Sequence, residues 1–210
     1  LPPRARLGFE EADLVLCEDT RHTGRLLSSL GLDKRLMSLH EHNERGRVGG
    51  LMEMLRQGAT LVLASDAGTP LISDPGFLLV REAVAAGIPV EHRPGPSAVV
   101  SALVVSGLPP YPFTFAGFPP RKRGKRRRFY HSLGGLDHTL VLFESPHRLL
   151  ASLDDAAVEL GNRPAAIARE LTKLHEEVLH GRLIQLREEL ADRRGLKGEF
   201  TLVIAPPDKG

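Results

Sequence analysis

Short apolar runs alternate with longer stretches of helical periodicity along the first half of the chain. The short runs predict strands at residues 13–17, 35–38, 60–65 and 90–93. In the longer stretches apolar residues recur every three to four positions, which predicts helices at residues 22–30, 44–57, 77–86 and 97–106. This alternation is typical of an α/β fold with a mostly parallel sheet.

The second half has the same kind of pattern with one difference. Strands are predicted at residues 114–117, 139–144, 165–169, 177–181 and 200–205, and helices at 123–132, 146–160 and 183–193. The strand at 177–181 is followed closely by a helix, which indicates that some strands of this half pair antiparallel. A connection rich in proline and glycine, residues 107–120, predicts a domain boundary. We therefore expect an N-terminal α/β domain over 1–110 and a C-terminal one over 111–210.

The most unusual segment is residues 121–128, which carry seven positive charges and no negative ones in a chain of formal net charge +2. Such a run repels itself unless a polyanion neutralises it, and Phe118 and Phe129 flank it with rings that could stack on bases. We expect a surface loop that contacts RNA phosphates; the plainer alternative is a solvated loop or a localisation signal. The candidate RNA-binding residues of the run are Arg121, Lys122, Arg123, Lys125, Arg126, Arg127 and Arg128.

Composition excludes several other classes of protein. Cys17 is the only cysteine, so an internal disulfide and cysteine-rich zinc modules are excluded. His40 and His42 could share one strand face, but the sequence offers no third ligand nearby, and we predict no metal site. Apolar stretches of about 20 residues are absent, so we expect no membrane association and, by default, a cytoplasmic location.

Three turns follow predicted strands, where parallel α/β sheets bind ligands. They are residues 18–24, 65–70 with 73–76, and 93–98. Their small residues let backbone amides approach a ligand, and Asp66 could accept hydrogen bonds from ammonium or hydroxyl groups. Neither a Walker A loop nor a GxGxxG fingerprint is present.

Together these segments resemble one family. Residues 17–23, 65–76, 94–98 and 143–148 are similar to segments of the bacterial 16S ribosomal RNA 2′-O-methyltransferases, within the tetrapyrrole methylase superfamily, and 168–173 and 198–203 also match. The resemblance implies a class III methyltransferase fold, in which two α/β domains have a cofactor cleft between them. It also implies a first strand that has no counterpart in the printed sequence.

The resemblance implies S-adenosylmethionine as the methyl donor. By position in the family's motifs, the cofactor-binding residues would be Asp66, Ala67, Gly68, Thr69, Pro70, Ser97, Ala98, Phe143, Ser145, Leu171 and Gly198. Ser97 has an alternative explanation, because serine also caps the helix that follows it.

The implied reaction is 2′-O-methylation of a cytidine in the decoding region of 16S rRNA, with the small ribosomal subunit as partner and a homodimer as the assembly. A ribose hydroxyl is a poor acid, so a carboxylate or neutral histidine within reach would help to remove its proton. Asp19 and Glu144 are the leading candidates, although each could instead orient a nearby arginine, Arg21 or Arg148. Arg21 and His22 are candidate RNA contacts.

Two alternatives remain open from the sequence. The same fold could methylate a tetrapyrrole precursor, whose many carboxylates would also attract basic residues. The chain could also be an RNA-binding module without activity.

Overall fold

The computed structural model describes residues 1–66, 68–193 and 195–208 and divides the chain into two compact units, Leu1–Ser97 and Ala98–Gly210. The sequence places the boundary later, after position 110. The division falls before a helix, Ala98–Val105, that belongs to the second unit because its apolar side chains pack on the second sheet. No helix in the described ranges is long and apolar enough to cross a membrane.

The first unit is a parallel three-stranded sheet with helices. Its elements are α1 (Pro3–Glu11), β1 (Leu14–Cys17), α2 (Thr20–Ser29), β2 (Leu36–Ser38), α3 (Glu44–Arg56), β3 (Leu61–Ala64) and α4 (Phe77–Ala85). The strand order is β2-β1-β3 and both pairings are parallel, as the alternating pattern predicts. The strand predicted at 90–93 is wrong, because those residues form no ladder with the sheet.

Burial explains why the central strand is continuously apolar. Leu14 and Leu16 pack into one hydrophobic cluster and Val15 into another, so β1 is covered on both faces. A strand buried on both faces loses the apolar–polar alternation of a half-exposed one. Its carboxyl end, together with that of β3, forms the edge at which Glu18 and Asp66 lie.

The second unit has a mostly antiparallel sheet. Its elements are α5 (Ala98–Val105), β4 (Phe113–Phe115), α6 (Arg123–Leu133), β5 (Thr139–Glu144), α7 (Leu149–Leu160), β6 (Pro164–Arg169), β7 (Glu177–Arg182), α8 (Leu183–Ala191) and β8 (Phe200–Ile204). The order is β4-β5-β8-β6-β7, and only β4 and β5 run parallel. The predicted antiparallel pairing is confirmed, and the mostly parallel sheet expected for the chain holds in the first unit alone.

Helices α6, α7 and α8 cover one face of this second sheet. Their largest fully buried side chain, Tyr130 of α6, donates or accepts a hydrogen bond of 2.6 Å with Ser152 of α7. The opposite face of the sheet is covered by α5. The second unit therefore has a core on each side of its sheet, which holds the strand ends rigidly.

Candidate functional site

Two carboxyl groups lie next to each other beyond the strand ends of the first unit. Glu18 directly follows β1, and Asp74, in the loop after β3, forms a hydrogen bond with it. Burial, the negative charge of Glu18 and this hydrogen bond raise the pKa of Asp74 to about 7. Burial and the charge of Asp66 also raise the pKa of Glu18. At neutral pH the pair therefore titrates as a unit. Asp74 belongs to the segment 73–76 but was not predicted as a site residue; acidic residues in the loops after two neighbouring strands are the signal that could have found it.

Asp19 is the N-cap of α2. Its Oδ1 accepts a hydrogen bond of 2.8 Å from the backbone N–H of Arg21, and its Oδ2 lies 2.9 Å from Nη2 of the same arginine. Hydrogen bonds from the Arg21 side chain and backbone hold the pKa of Asp19 at about 2. So weak a base is a poor proton acceptor, and the contacts favour the alternative in which Asp19 orients Arg21. Arg21 and His22 are both exposed.

The loop after β3 has an unusual density of left-handed residues. Leu71 and Ser73 have φ of 72° and 69° without being glycine. Gly76 has φ of 114°, a conformation that favours glycine, and a Cβ there would lie 2.2 Å from Cδ2 of Leu63, which would have to move. Sparsely populated backbone conformations persist where surrounding structure holds them, and they cluster at ligand sites.

The predicted cofactor residues of this loop are only partly described. Asp66 and Gly68 are exposed, Thr69 and Pro70 are half-buried, and Ala67 lies outside the described residues. The hydroxyl of Ser65 donates to the Gly68 carbonyl at 3.4 Å, which closes the turn.

In the second unit, Glu144 ends β5 as a buried carboxylate. Its Oε1 accepts a hydrogen bond of 2.8 Å from the Ser145 N–H and lies 2.8 Å from Nη2 of Arg148. The Glu144 side chain is 1% exposed, and its Oε2 has no hydrogen-bond partner among the described residues. An unpaired buried carboxylate oxygen is costly, and such oxygens occur where a group has a functional role or where a water completes its hydrogen bonds.

Sheet register brings three predicted segments of the second unit together. Glu144 and Arg169 both pair with Phe200, and β8 runs antiparallel to β5 and β6. The residues after β5, after β6 and before β8 therefore meet at one edge of the sheet. Ser145, Leu171 and Gly198 lie in these three segments, which are far apart in sequence.

Gly198 belongs to a tight cradle around Glu170. Gly198 has φ of 99°, and a Cβ there would lie 2.6 Å from Cγ of Glu170. The Glu170 carboxylate accepts hydrogen bonds from the Glu199 N–H at 2.9 Å and from Nζ of Lys173 at 3.0 Å. Glu170 and Thr172 are left-handed at φ of 50° and 67°, with half-buried Leu171 between them. This loop, like the one after β3, combines strained backbone with obligatory glycine.

An open pocket of about 670 Å³ lies beside Glu144. It is lined by Phe118, Pro119, Pro120, Arg121, Ser145, His147 and Arg148. Arg148 organises its wall, since Nε donates to Ser145 Oγ at 3.0 Å and Nη1 donates to the Pro119 carbonyl at 3.1 Å. The guanidinium also lies 6.0 Å from the centre of the Phe118 ring. The ring of Phe143 packs against the ring of Phe118, with 5.5 Å between the ring centres. From the sequence, Phe118 is expected only as a flank of the basic run.

Ser97 and Ala98 lie at the start of α5. Ala98 is the first residue of the helix and Ser97 immediately precedes it, the position of an N-cap. Both are half-buried.

Residues 123–128 of the basic run lie in α6, which confirms the helix predicted at 123–132; the surface loop expected for the run is wrong there. Arg126 is 5% exposed and its Nη2 lies 2.7 Å from Oδ2 of Asp155 in α7. A surface phosphate contact by Arg126 is therefore wrong, because its charge is already compensated in the interior. Nε of Arg127 lies 2.6 Å from Oε1 of Glu159, and Nε of Arg123 lies 3.3 Å from Oδ1 of Asp155.

Comparison with known proteins identifies the class of protein. The profile of the Tetrapyrrole (Corrin/Porphyrin) Methylases matches residues 1–187. Among solved structures, a diphthine synthase superposes with a TM-score of 0.71 at 17% identity over 98% of this chain and 84% of that one. A uroporphyrin-III-C-methyltransferase from Thermus thermophilus gives 0.66 at 24% identity, over 98% and 87%. These structures share the fold, which confirms the class III methyltransferase architecture.

Sequence relatives narrow the class. A ribosomal RNA small subunit methyltransferase I from Xylella fastidiosa is 47% identical over 97% of this chain and 76% of its own length. A protein of the same name from Micromonospora olivasterospora is 50% identical over 91% of this chain, which spans 61% of that relative. The chain therefore belongs to the tetrapyrrole methylase family, and within it to the group whose members carry the name ribosomal RNA small subunit methyltransferase I.

Proposed function

We propose that this protein transfers the methyl group of S-adenosylmethionine to the 2′-oxygen of a cytidine ribose in 16S rRNA. The observation that carries the proposal is 47% identity, over 97% of the chain, to a protein named as a methyltransferase of the small-subunit RNA. The cytidine as the methylated nucleotide and its 2′-oxygen as the methylated atom are taken from the family resemblance described above.

Each unit by itself carries groups that suit a part of S-adenosylmethionine. In the first unit, Glu18, Asp66 and Asp74 supply carboxyl oxygens for a ligand ammonium or for ribose hydroxyls. In the second unit, Glu170 and Thr172 hold the backbone on both sides of Leu171 in left-handed conformations, and Gly198 has φ of 99°. When bound, the cofactor supplies an electrophilic methyl group on a sulfonium.

Glu144 is the residue we assign to the acceptor hydroxyl. Its Oε1 is held by the Ser145 N–H and by Arg148, which fixes the carboxylate in place. The unpaired Oε2 is enclosed in the free protein, so substrate binding must uncover it; it can then accept a hydrogen bond from the 2′-hydroxyl and take its proton as the oxygen attacks. Orientation and proton acceptance are the two tasks left to the protein, because the methyl group is already activated.

The test combines substrate mapping with one isosteric variant. Small ribosomal subunits incubated with the protein and methyl-labelled cofactor should gain one label in a 2′-O-methylcytidine, identified by mass spectrometry of nuclease digests. Glu144→Gln keeps the Ser145 hydrogen bond but removes the base, so single-turnover methylation should slow by about 10²–10⁴-fold while cofactor affinity is spared.

The paired variant Asp19→Asn keeps the helix cap. It should slow the reaction far less than Glu144→Gln. If Asp19→Asn lost turnover and Glu144→Gln did not, the proton acceptor would be Asp19 of the first unit and not Glu144. Label on a tetrapyrrole precursor, with none on RNA, would overturn the proposed substrate.

The homodimer that the resemblance implies and the cytoplasmic location expected by default also remain proposals. Light scattering of the purified protein decides the first, since a dimer has twice the 22.9 kDa mass of the chain.

A further inference from the structure

Helix α6 separates its positive charges onto two faces. Arg123, Arg126 and Arg127 lie at spacings of three and four, the spacing that brings residues to one side of a helix. That side faces α7, where Asp155 and Glu159 pair with the three arginines. These charges serve packing between the two helices.

The other side carries cations without acidic partners. Lys122, Lys125 and Arg128 follow one another at intervals of three and are all exposed. None of them has a carboxylate within 4.0 Å among the residues that the structure describes. Arg121 adds a fourth exposed charge where the helix begins. Lys125 and Arg128 lie on α6, and Arg121 and Lys122 directly precede it, so four exposed positive charges fall within eight residues, an arrangement that suits a polyanion better than a single anion.

This strip of four cations is continuous with the open pocket at Phe118. Arg121 lines that pocket, so the cations lead directly to it. Phe118 is 49% exposed although it packs on Phe143 and lies 6.0 Å from the Arg148 guanidinium. A half-exposed ring held from behind presents a rigid surface for stacking. The pocket volume, about 670 Å³, is within the range that holds small ligands such as a nucleoside.

We propose that a single-stranded RNA segment binds here, with phosphates on Lys122, Lys125, Arg128 and Arg121 and an unpaired base on Phe118. The inference rests on the proposed RNA substrate and names the surface that holds it. The cluster of positive charges favours a nucleic acid as the ligand. The exposed ring beside it favours a single strand, because an unpaired base can stack on the ring while the bases of a duplex are covered. The paired arginines take no part.

Salt dependence of binding tests the cationic strip. The probe is an unstructured RNA of about 12 nucleotides, within the site sizes of single-strand binders. Lys122→Gln/Lys125→Gln/Arg128→Gln should flatten the slope of log affinity against log salt by up to about 2, since each phosphate neutralised contributes roughly 0.7. The matched control is Arg4→Gln/Arg35→Gln/Arg45→Gln, which removes equal charge from exposed positions of the first unit and should keep the wild-type slope.

Substitution of the ring tests the stacking contact. Phe118→Ala should weaken RNA binding by roughly 5- to 100-fold at fixed salt, the range for loss of one stacked base, with the slope unchanged. Phe118→Trp should restore it. A duplex RNA of equal length should compete poorly.

The outcomes separate this inference from the proposed function. If wild-type protein methylates small subunits but both triple variants share one slope, the strip is only a solvated helix face and the inference is wrong. Equal competition by duplex, or unchanged affinity in Phe118→Ala, overturns the single-stranded assignment. If wild type neither binds nor methylates RNA, the proposed function itself fails.

Discussion

Among individual residues, Asp74 departs furthest from the ordinary chemistry of its type. An aspartate that is half-buried beside Glu18 and Asp66 holds its proton because a third negative charge would be poorly solvated. Its pKa of about 7, against an ordinary 3.8, places its ionisation within the physiological range. Perturbed carboxyl groups at strand ends are frequent at functional sites, and this one adjoins the strained loop after β3.

This shift predicts a pH dependence of stability. Between about pH 4 and 7 the native protein keeps the Asp74 proton while the unfolded chain has lost it, so stability falls as pH rises through that window and levels off above it. Asp74→Asn cannot ionise, so its Tm should fall less than that of wild type between pH 5 and pH 8. Calorimetry at the two pH values measures the difference.

Asp19→Asn is the matched comparison. The pKa of Asp19 is lowered to about 2, so it is ionised throughout this window in both states, and its removal should leave the wild-type profile between pH 5 and 8. If the pH dependence of Tm in Asp74→Asn equalled that of wild type, the pKa of Asp74 would not be raised in the native protein.

At the scale of elements, the α6–α7 contact depends on a buried charge pair. Arg126 and Asp155 have side chains that are 5% and 3% exposed, and Nε of Arg126 donates to Asp155 at 2.8 Å. A buried charge that loses its partner is far more costly than an exposed one. The basic run therefore contributes to folding as well as to the surface of the helix.

Asp155→Asn should destabilise the second unit by about 3–5 kcal/mol, because it leaves Arg126 buried without its counter-charge. Arg127→Gln breaks a pair whose arginine is 46% exposed, and should cost at most about 1 kcal/mol. Urea denaturation followed by circular dichroism measures both. Equal costs for the two variants would contradict the structural role of the buried pair.

At the scale of the whole molecule, ligand binding to the native state should raise thermal stability. S-adenosylmethionine at 100 times its dissociation constant should add about 2.7 kcal/mol, seen as an increase in Tm that grows with cofactor concentration. The Asp66→Ala variant should need a higher cofactor concentration for the same increase in Tm, because it loses a charge-assisted hydrogen bond to the cofactor. A Tm independent of cofactor would remove S-adenosylmethionine from the proposal, and an unchanged Asp66→Ala would remove that residue from the site.

The sequence by itself determined the alternation of elements, the family and the segments that carry candidate chemistry. Strand β1 could be predicted because its apolar run is short and bounded, and the loop at 65–76 because glycine, proline and small polar residues mark it locally. These are properties of neighbouring residues, which a linear pattern contains. The strand predicted at 90–93 was wrong because a local sequence pattern does not supply a pairing partner.

The tertiary structure decided what depends on residues distant in sequence. Whether Arg126 is a surface charge or an interior one depends on Asp155, which the linear run does not contain. The raised pKa of Asp74 requires Glu18, and the unpaired oxygen of Glu144 requires knowing every neighbour of that carboxylate. Charge, burial and hydrogen bonding act through space, so the roles of these side chains became visible only once the chain was folded.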